Sequence, residues 1–336
     1  MYIRQFVAME LTVIIPTRNR RAVLGETLDR LDTQVGDVGF EVVVVDDGSE
    51  DGTAEAVREQ VNSRSFPIVL LERDGSGPAA ARNAAMAAAR APVCLFLNDD
   101  SWPRRDLLVR HRDFHLRRPD REAALLGRLE LPRDPPPTPF MRWLAFAHFD
   151  HHAIEDAQNA GGRRFITANV SGKTEFLLGV GGFDETFPTA SHEDIDLGLR
   201  LQEAGMQLVY DPSAVAEHYH PADLPAAIGL MREVGRSLAR LAERHAGYPV
   251  PRRPGMRHRA KAGALTCLTA VGVMSRGLQH ETWRFLCHEA TREAYWDAID
   301  RREDGRQRSG AELRIGRTLA RLATRDQDAR MPGPMQ

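Results

Sequence analysis

The sequence predicts an α/β fold, in which a doubly wound, mainly parallel sheet carries helices on both faces and is followed by a helical C-terminal extension. Short apolar runs alternate with helical segments in the N-terminal part, a pattern typical of parallel strands joined by crossover helices. Three of these runs end in polar or acidic residues. Beyond residue 221 the apolar residues recur at helical spacing instead, which favours amphipathic helices.

The first four strands are predicted from continuous apolar runs, which indicate burial on both faces of the sheet. These runs are Leu11–Thr17, Phe40–Val45, Ile68–Leu71 and Val93–Leu97. Between them we expect a helix ending near Leu31 and a second helix capped by Thr53. A third helix is expected over Ala79–Ala91, with Pro78 near its first turn.

The carboxyl ends of these strands are expected to form one rim, because right-handed crossovers bring parallel strands into register at one edge. Ligands bind at this edge in open α/β sheets. The residues that follow the strands are Thr17, Arg18, Asp46, Asp47, Asp99 and Asp100. A group of polar ends on three separate strands predicts a nucleotide-type site.

Asp99 and Asp100 directly follow an apolar strand. Ionised carboxylates are costly to bury unless they are paired or bind a metal. They are therefore expected to bind a hard divalent cation, Mg²⁺ or Mn²⁺, that bridges them to phosphate oxygens. Taken alone, the segment 98–101 equally suits a helix cap, and the polar ends of the other strands favour the metal interpretation.

Two common nucleotide-binding motifs are absent from the sequence. The first strand ends in Pro16–Asn19 where a dinucleotide fingerprint needs glycines, and Gly75–Pro78 lacks the third glycine at its required spacing. No phosphate-binding loop with Gly-Lys-Ser/Thr occurs either. These absences disfavour a nicotinamide dehydrogenase and a P-loop enzyme.

The middle of the chain contains further predicted elements. They are a helix to about 118, a strand over 124–131, a proline-rich connector over 132–139, a helix over 140–149 and two closing strands over 207–210 and 214–218. Ser191 and Asp194 have the spacing of a capping box for a helix that follows. His218 and His220 end the last strand, where one imidazole could reach the same metal, or the two form an ordinary surface pair.

Charge is distributed unevenly, although the formal net charge is −2. Residues 222–336 contain 21 Lys and Arg against 13 Asp and Glu, whereas residues 1–221 contain 24 against 34. A basic C-terminal third suits phosphates or an anionic membrane surface, or it consists of solvated amphipathic helices. Its mixed charge and few aromatic residues argue against nucleic-acid binding.

Cysteine usage and hydropathy predict a cytoplasmic protein, with peripheral contact at the inner face of the membrane as a further hypothesis. Cys94, Cys267 and Cys287 have neither metal-ligand nor disulfide spacing, which is typical of a reducing compartment. No basic segment with an apolar signal core begins the sequence. The longest near-apolar run, Gly263–Ser275, is too short to span a bilayer.

Together, six stretches of the chain resemble the family 2 glycosyltransferases of the GT-A fold. They are VIIPTRNR (13–20), VVVVDDGSEDGT (42–53), GPAAARNAA (77–85), LFLNDDSWP (95–103), GVGGFDE (179–185) and HEDIDLGLRL (192–201). They follow the order of that family and cover residues 11 to about 221. The combination is specific, although each stretch alone would be a weak signal.

The resemblance implies a role for individual residues. The nucleotide-sugar pocket is expected to contain Pro16, Thr17, Arg18, Asp46, Asp47, Arg82 and Asp99. Asp47 would contact the base or ribose, and Arg82 the diphosphate or base. Asp100 and His218 would bind the metal, and Asp194 would be the catalytic base. The donor-sugar or acceptor side would include Asn169, Gly182, Glu193 and His220.

One departure from the family's pattern concerns the metal motif. Asn98 stands at the first position, where many members of that family have Asp. This replacement predicts weaker metal binding, although some members also lack that acid. It also gives slight support to one alternative, a catalytically silent sugar-binding or scaffold protein on the same fold.

The resemblance implies transfer of a sugar from a nucleotide-diphosphate sugar, with UDP as the expected nucleotide, to an acceptor hydroxyl with inversion. The acceptor could be a glycan, a lipid-linked sugar or a small molecule. Residues 1–221 are expected to form the catalytic domain, 222–325 a helical region for acceptor, homodimer or membrane contact, and 326–336 a disordered tail. A sugar-1-phosphate nucleotidyltransferase is disfavoured, because its glycine-rich loop would follow the first strand.

Overall fold

The computed structural model describes residues 8–187, 189, 191–253, 258, 260, 261, 264, 265 and 278–302 of the chain. The strands are β1 Leu11–Thr17, β2 Phe40–Asp46, β3 Ile68–Glu72, β4 Val93–Leu97, β5 Ser101–Pro103, β6 Ala123–Glu130, β7 Asn169–Lys173 and β8 Gln207–His218. The α-helices are α1 Arg21–Asp32, α2 Thr53–Gln60, α3 Pro78–Ala88, α4 Leu107–Arg117, α5 Pro139–Phe149, α6 Thr174–Gly179, α7 Glu193–Glu203 and α8 Leu224–Arg244. Residues 278–302 are also helical and are called the C-terminal helix below.

All eight strands belong to one sheet, in the order β3-β2-β1-β4-β7-β6-β8-β5. The first four strands of this order are parallel, as the sequence predicts. The other half of the sheet is mixed, because β7 runs antiparallel to both β4 and β6, and β5 runs antiparallel to β8. The predicted sheet flanked by helices is confirmed, with an antiparallel strand at its centre.

The sheet is buried on both faces, which explains why its strands read as continuous apolar runs. Along β1, Val13 and Ile15 pack on one face in a cluster that includes residues of α1, α2 and α4. Ile14 points to the other face, into a cluster with residues of α3, α6 and α7. The two layers of helices leave the carboxyl edge of the parallel strands open for the site.

Three local predictions were wrong. The two closing strands form one strand, β8, which keeps its pairing with β6 through a register shift at Gly127/Arg128. Thr53 does not cap α2, because the cap is Gly52 in the left-handed conformation. Ser191 does not cap α7 either, since the helix starts after His192, whose φ is 65°. A left-handed residue before a helix changes where the preceding side chain points, which spacing alone does not reveal.

The C-terminal region packs closely on the α/β part. Ser237 of α8 donates a hydrogen bond to the carbonyl of Ser191, and Phe187 shares an apolar cluster with Leu238 of α8 and Tyr295 of the C-terminal helix. A Cβ on Gly235 would lie 2.3 Å from the carbonyl oxygen of Thr291. The backbones of the two helices therefore approach as closely as glycine allows.

Within the part of the chain that the structure describes, no helix has the length and apolar character needed to cross a membrane. The predicted disordered tail, the apolar run over 263–275 other than residues 264 and 265, and Cys267 lie outside the described residues.

Candidate active site

The ends of β1, β2 and β4 meet at one rim, as the sequence predicts. Thr17 and Asp46 are register partners across β1 and β2, and the amide of Asp47 donates to the carbonyl of Thr17 at 2.9 Å. The Thr17 hydroxyl donates to Oδ2 of Asp99 at 2.8 Å. The parallel register thus brings residues that are distant in sequence within hydrogen-bonding range.

Asp100 is the centre of the charged cluster at this rim. Nη1 of Arg20 lies 2.8 Å from its Oδ2, Nε2 of His218 lies 3.3 Å from its Oδ1, and Nδ1 of His220 lies 3.3 Å from its Oδ2. The histidines reach it because β5 pairs antiparallel with β8, with Ser101 opposite His218. Both imidazoles therefore lie beside Asp100.

The two adjacent aspartates differ in their ionisation. Burial raises the pKa of Asp99 to about 7, and the neighbouring charge of Asp100 adds to this effect. Burial would also raise the pKa of Asp100, but His218, His220 and Arg20 outweigh it and lower that pKa to about 2. Asp100 is therefore the firmly ionised member of the pair.

The metal chemistry of this cluster has one clear feature. Oδ1 of Asp100 is buried and has no hydrogen-bond donor, and it faces an imidazole nitrogen. Carboxylate and imidazole are donors that suit Mn²⁺ and related divalent cations. Among the residues that the structure describes, no group of three or more His, Cys, Asp or Glu is arranged to hold a metal ion, so a metal site here needs ligands from elsewhere.

Asp47 organises the loop before α3. Its Oδ1 accepts from the amide of Ser76 at 2.8 Å, and its Oδ2 accepts from the amide of Gly77 at 2.7 Å. The carboxylate therefore fixes a turn beside the rim, with Pro78 starting the helix. Arg18 lies on the other side of this turn, with its guanidinium against Gly75.

Arg82 connects the rim with the start of α7. Its buried guanidinium donates to Oε1 of Glu193 at 2.8 Å and to Oδ1 of Asn98 at 3.2 Å, and it lies over the ring of Phe183. Burial, and then the charge of Asp194, raise the pKa of Glu193 against the effect of Arg82. Asn98, the departure from the metal motif, is thus a neutral acceptor for Arg82.

Asp194 lies in the first turn of α7 beside Glu193. Its Oδ2 accepts from the amide of Thr167 at 3.3 Å, and its side chain is partly exposed, whereas Glu193 is buried. Of the two carboxylates, Asp194 is the one that solvent or a substrate hydroxyl can approach.

A cavity of about 1500 Å³ joins these groups. Of the predicted site residues, the following line it: Pro16, Thr17, Arg18, Asp47, Arg82, Asp99, Asp100, Glu193, Asp194, His218 and His220. Apolar side chains complete the wall, including Met141 and Leu144 of α5 and Leu230 and Val234 of α8. The cavity therefore extends from the strand ends to the helices that follow.

Three predicted site residues do not line this cavity. Asp46 turns back, and its Oδ1 accepts from the amide of Ser49 at 2.8 Å. Asn169 is fully buried, and its amide donates to the carbonyls of Arg128 and Ala214. Gly182 packs against Asn83, where a Cβ would lie 2.6 Å from the side-chain oxygen. The sugar-side role predicted for Asn169 and Gly182 therefore has no support from the wall of this cavity, and both residues make internal contacts instead.

Arg20 is a site residue that the sequence analysis did not single out. It directly precedes α1, in the same motif as Thr17 and Arg18. Three of the four residues over 18–21 are arginines, and the sequence does not show which of them turns inward. The turn geometry decides this, since Arg18 is exposed whereas Arg20 reaches Asp100.

Comparison with known proteins identifies the family. Residues 12–128 match the Glycosyl transferase family 2 profile, and this segment contains β1 to β5 with Asp47, Asp99 and Asp100. This segment of the chain belongs to glycosyl transferase family 2. The predicted resemblance to the family 2 glycosyltransferases is confirmed.

The chain is similar to the pre-mycofactocin glycosyltransferase of Mycobacterium tuberculosis, with 32% identity over 249 residues, 72% of this chain and 49% of the relative. It thus spans about half the length of that protein. Among solved structures, the mannosyltransferase of Pyrobaculum calidifontis in complex with GDP-Man and Mn²⁺ has a TM-score of 0.56 at 21% identity, covering 87% of this chain and 90% of that one. Staphylococcus aureus TarS 1–349 in complex with UDP-GlcNAc has a TM-score of 0.50 at 16% identity, with 88% and 92% covered.

These structural similarities concern the fold, because the identities are low. They confirm the predicted α/β fold of the GT-A type, with the mixed sheet described above.

Proposed function

We propose that this chain transfers a sugar from a nucleotide-diphosphate sugar to an acceptor hydroxyl with inversion at the anomeric carbon. The observation that carries this proposal is the single cavity that contains the Asp99–Asp100 pair, the loop held by Asp47 and the partly exposed carboxylate of Asp194. The relatives named glycosyltransferases support the reaction class. UDP is the proposed nucleotide, as the resemblance to the family implies.

The volume of the cavity supports a site for two substrates. Sites for single small molecules enclose about 300–1,000 Å³, and this cavity has about 1500 Å³. We assign the strand-end side, near Asp47 and Arg18, to the nucleotide. The side between α5 and α8 is assigned to the acceptor, which we take to be a glycan, a lipid-linked sugar or a small molecule.

Asp100 and His218 would hold a divalent cation, Mg²⁺ or Mn²⁺, on the donor's diphosphate. The buried Oδ1 of Asp100 and the imidazole that faces it fit this role, and the diphosphate oxygens would supply the ligands that the protein lacks. A bound cation would provide Lewis-acid stabilisation of the negative charge that develops on the departing diphosphate.

Asp194 would accept the proton of the acceptor hydroxyl as that oxygen attacks the anomeric carbon. It lies in the cavity wall and is partly exposed. Glu193 is unsuited to this task, because it is buried and paired with Arg82. Its contact with Arg82 instead fixes the start of α7 relative to β4. A positioned base contributes on the order of 10²–10⁴ to the rate.

Donor binding and turnover, measured with UDP-, GDP- and dTDP-sugars with and without Mn²⁺, test this proposal. We expect Asp100→Ala to lose metal-dependent donor binding. Asp194→Asn should keep donor binding and lose about 10²–10⁴-fold in turnover, while Glu203→Gln, at the exposed end of the same helix, serves as the control. Failure of the wild type to bind any nucleotide sugar would exclude the proposed enzyme.

A further inference from the structure

Arg20 places a guanidinium between the two rim aspartates. Its Nη1 lies 2.8 Å from Oδ2 of Asp100 and 3.6 Å from Oδ1 of Asp99. The side chain of Asp99 is 10% exposed and that of Asp100 5%, whereas the Arg20 side chain is 34% exposed. A guanidinium at the mouth of the site therefore covers two buried carboxyl groups.

This ion pair balances a charge that would otherwise be costly. Ionised carboxylates in a desolvated position need a counter-charge. Arg82, the other buried arginine nearby, is engaged with Glu193 and Asn98. The imidazoles of His218 and His220 carry charge only when protonated. Of the arginine and lysine side chains whose ion pairs the structure describes, Arg20 is the one that bonds to Asp100.

A guanidinium and a divalent cation compete for the same carboxylate. Both are attracted by Asp100 and repel each other, and this repulsion is strong at a partly desolvated site. A metal on Oδ1 of Asp100 would therefore weaken the contact that Arg20 makes with Oδ2 of the same carboxylate. The released guanidinium then needs another anion, and its fork of N–H donors suits phosphate oxygens.

We propose that Arg20 is an internal counter-ion of Asp100 that opposes metal binding in the free protein and moves to the diphosphate when a divalent metal and a nucleoside diphosphate bind together. The inference rests on the proposed function of the same site. In this arrangement Arg20 lowers the metal affinity of the free protein and contributes to diphosphate binding. Metal and nucleotide then strengthen each other's binding, and by linkage the coupling is equal in both directions.

Arg20 can be replaced without removing a structural bond of α1. It occupies the N-cap position of that helix, but its side chain makes no capping hydrogen bond. Arg21 gives a matched control, because it is the next residue, carries the same charge, is exposed, and lies against Gly52. Arg20→Lys keeps the charge without the planar fork.

The test is a titration of Mn²⁺ followed by electron paramagnetic resonance, without nucleotide and again with saturating UDP. Without nucleotide, Arg20→Ala should bind Mn²⁺ about tenfold more tightly than the wild type, ~1.4 kcal/mol. The gain in Mn²⁺ affinity caused by UDP should shrink in Arg20→Ala and persist in Arg21→Ala. Arg20→Lys should stay closer to the wild type than Arg20→Ala.

Two outcomes separate this inference from the proposed function. If the wild type binds Mn²⁺ and UDP but Arg20→Ala leaves the Mn²⁺ affinity unchanged or weaker, the counter-ion role is wrong and the glycosyltransferase proposal stands. If the wild type binds neither ligand, the proposed function itself fails. Circular dichroism and thermal unfolding of each variant establish that a changed affinity does not come from a misfolded protein.

Discussion

Both carboxylate oxygens of Asp47 accept hydrogen bonds from the backbone of the loop before α3. The two bonds, to the amides of Ser76 and Gly77, hold this loop against the end of β2. A charged acceptor shared by two amides is a strong arrangement. The structure therefore shows that Asp47 positions the pocket wall. Direct contact of Asp47 with a ligand would be a separate role.

Asp47→Asn should weaken donor binding and leave turnover at saturating donor nearly unchanged. The amide nitrogen of Asn cannot accept, so one backbone N–H loses its partner and the loop over 75–77 relaxes. Loss of a hydrogen bond to a charged group costs about 1.5–3 kcal/mol, so we expect the donor dissociation constant to rise by about tenfold or more. Calorimetric titration with the donor measures this change.

Asp51→Asn is the control for Asp47→Asn. Asp51 lies in the same connection after β2 and accepts a hydrogen bond from the amide of Thr53. It is not among the described residues that line the cavity. Donor affinity should be unchanged in this variant. An equal loss in both variants would mean that the whole connection, and not the loop held by Asp47, determines affinity.

At the scale of single residues, the sequence predicts the acidic site residues better than the residues that pair with them. Asp99 and Asp100 are identifiable because an apolar strand ends in two carboxylates. Arg20 is not identifiable, because its inward direction depends on the turn between β1 and α1. The family resemblance implies a site role for Asn169, yet the mixed half of the sheet encloses it, and no strand pattern predicts that β7 runs antiparallel beside β4.

At the scale of elements, α7 is held by direct backbone contact. A Cβ on Gly198 would lie 2.1 Å from the carbonyl oxygen of Gly162, and a Cβ on Gly162 would lie 2.3 Å from that of Gly198. The side chain of Gln202 accepts from the amide of Gly162. Two glycines therefore set the distance between α7 and the segment 161–165, and with it the position of Asp194.

Gly198→Ala should destabilise the protein and reduce turnover. The added methyl group meets backbone, which cannot move aside as a flexible side chain would, so α7 must shift. Overpacking of this kind costs about 1–3 kcal/mol or more, and the shift displaces the first turn of the helix. Denaturant unfolding and steady-state kinetics measure the two effects.

Gly229→Ala is the matched control on α8. Gly229 is exposed and nothing lies within 4 Å of a Cβ built there, so the same substitution should stabilise the helix by about 0.5–1 kcal/mol. If Gly198→Ala were as well tolerated as Gly229→Ala, the close contact between α7 and Gly162 would not determine the position of the helix.

The elements of the parallel half of the sheet can be predicted from the sequence, whereas the boundaries of the elements in the other half cannot. Continuous apolar runs predict β1 to β4 because both faces of the sheet are covered. The start of α7 depends instead on His192 in a left-handed conformation, which is uncommon for a non-glycine residue. Spacing rules such as the capping box contain no information about this conformation.

At the scale of the whole molecule, a buried polar chain crosses the core and joins α4 to β7 and β8. Asn169 donates its amide to two carbonyls, so its oxygen accepts from Nε2 of His111 at 3.1 Å. Nδ1 of His111 therefore accepts from the Ser171 hydroxyl at 2.8 Å. That hydroxyl oxygen in turn accepts from Nε2 of His115 at 2.8 Å.

These hydrogen bonds are all satisfied with both imidazoles in the neutral state. Nδ1 of His115 is buried without a hydrogen-bond partner, so a proton there would have no acceptor. Burial, followed by the charge of Lys173, lowers the pKa of His115 to about 2. Burial likewise lowers the pKa of His111 to about 4. In the unfolded chain both groups return to an ordinary value of about 6.5.

Acid should therefore destabilise the fold through these histidines well above the pH at which carboxylates are protonated. Below about pH 6.5 these histidines bind protons in the unfolded state but stay neutral in the folded state. Each of them therefore contributes stability that is present above this pH and lost as the pH falls.

His115→Gln removes one such group. Between about pH 7 and pH 5 this variant should lose about 2 kcal/mol less stability than the wild type, even if it is less stable at neutral pH. Urea unfolding at the two pH values measures the difference, with His152→Gln, at a more exposed histidine, as the control. An identical pH dependence in His115→Gln and the wild type would mean that His115 gains its proton in the folded protein as readily as in the unfolded chain.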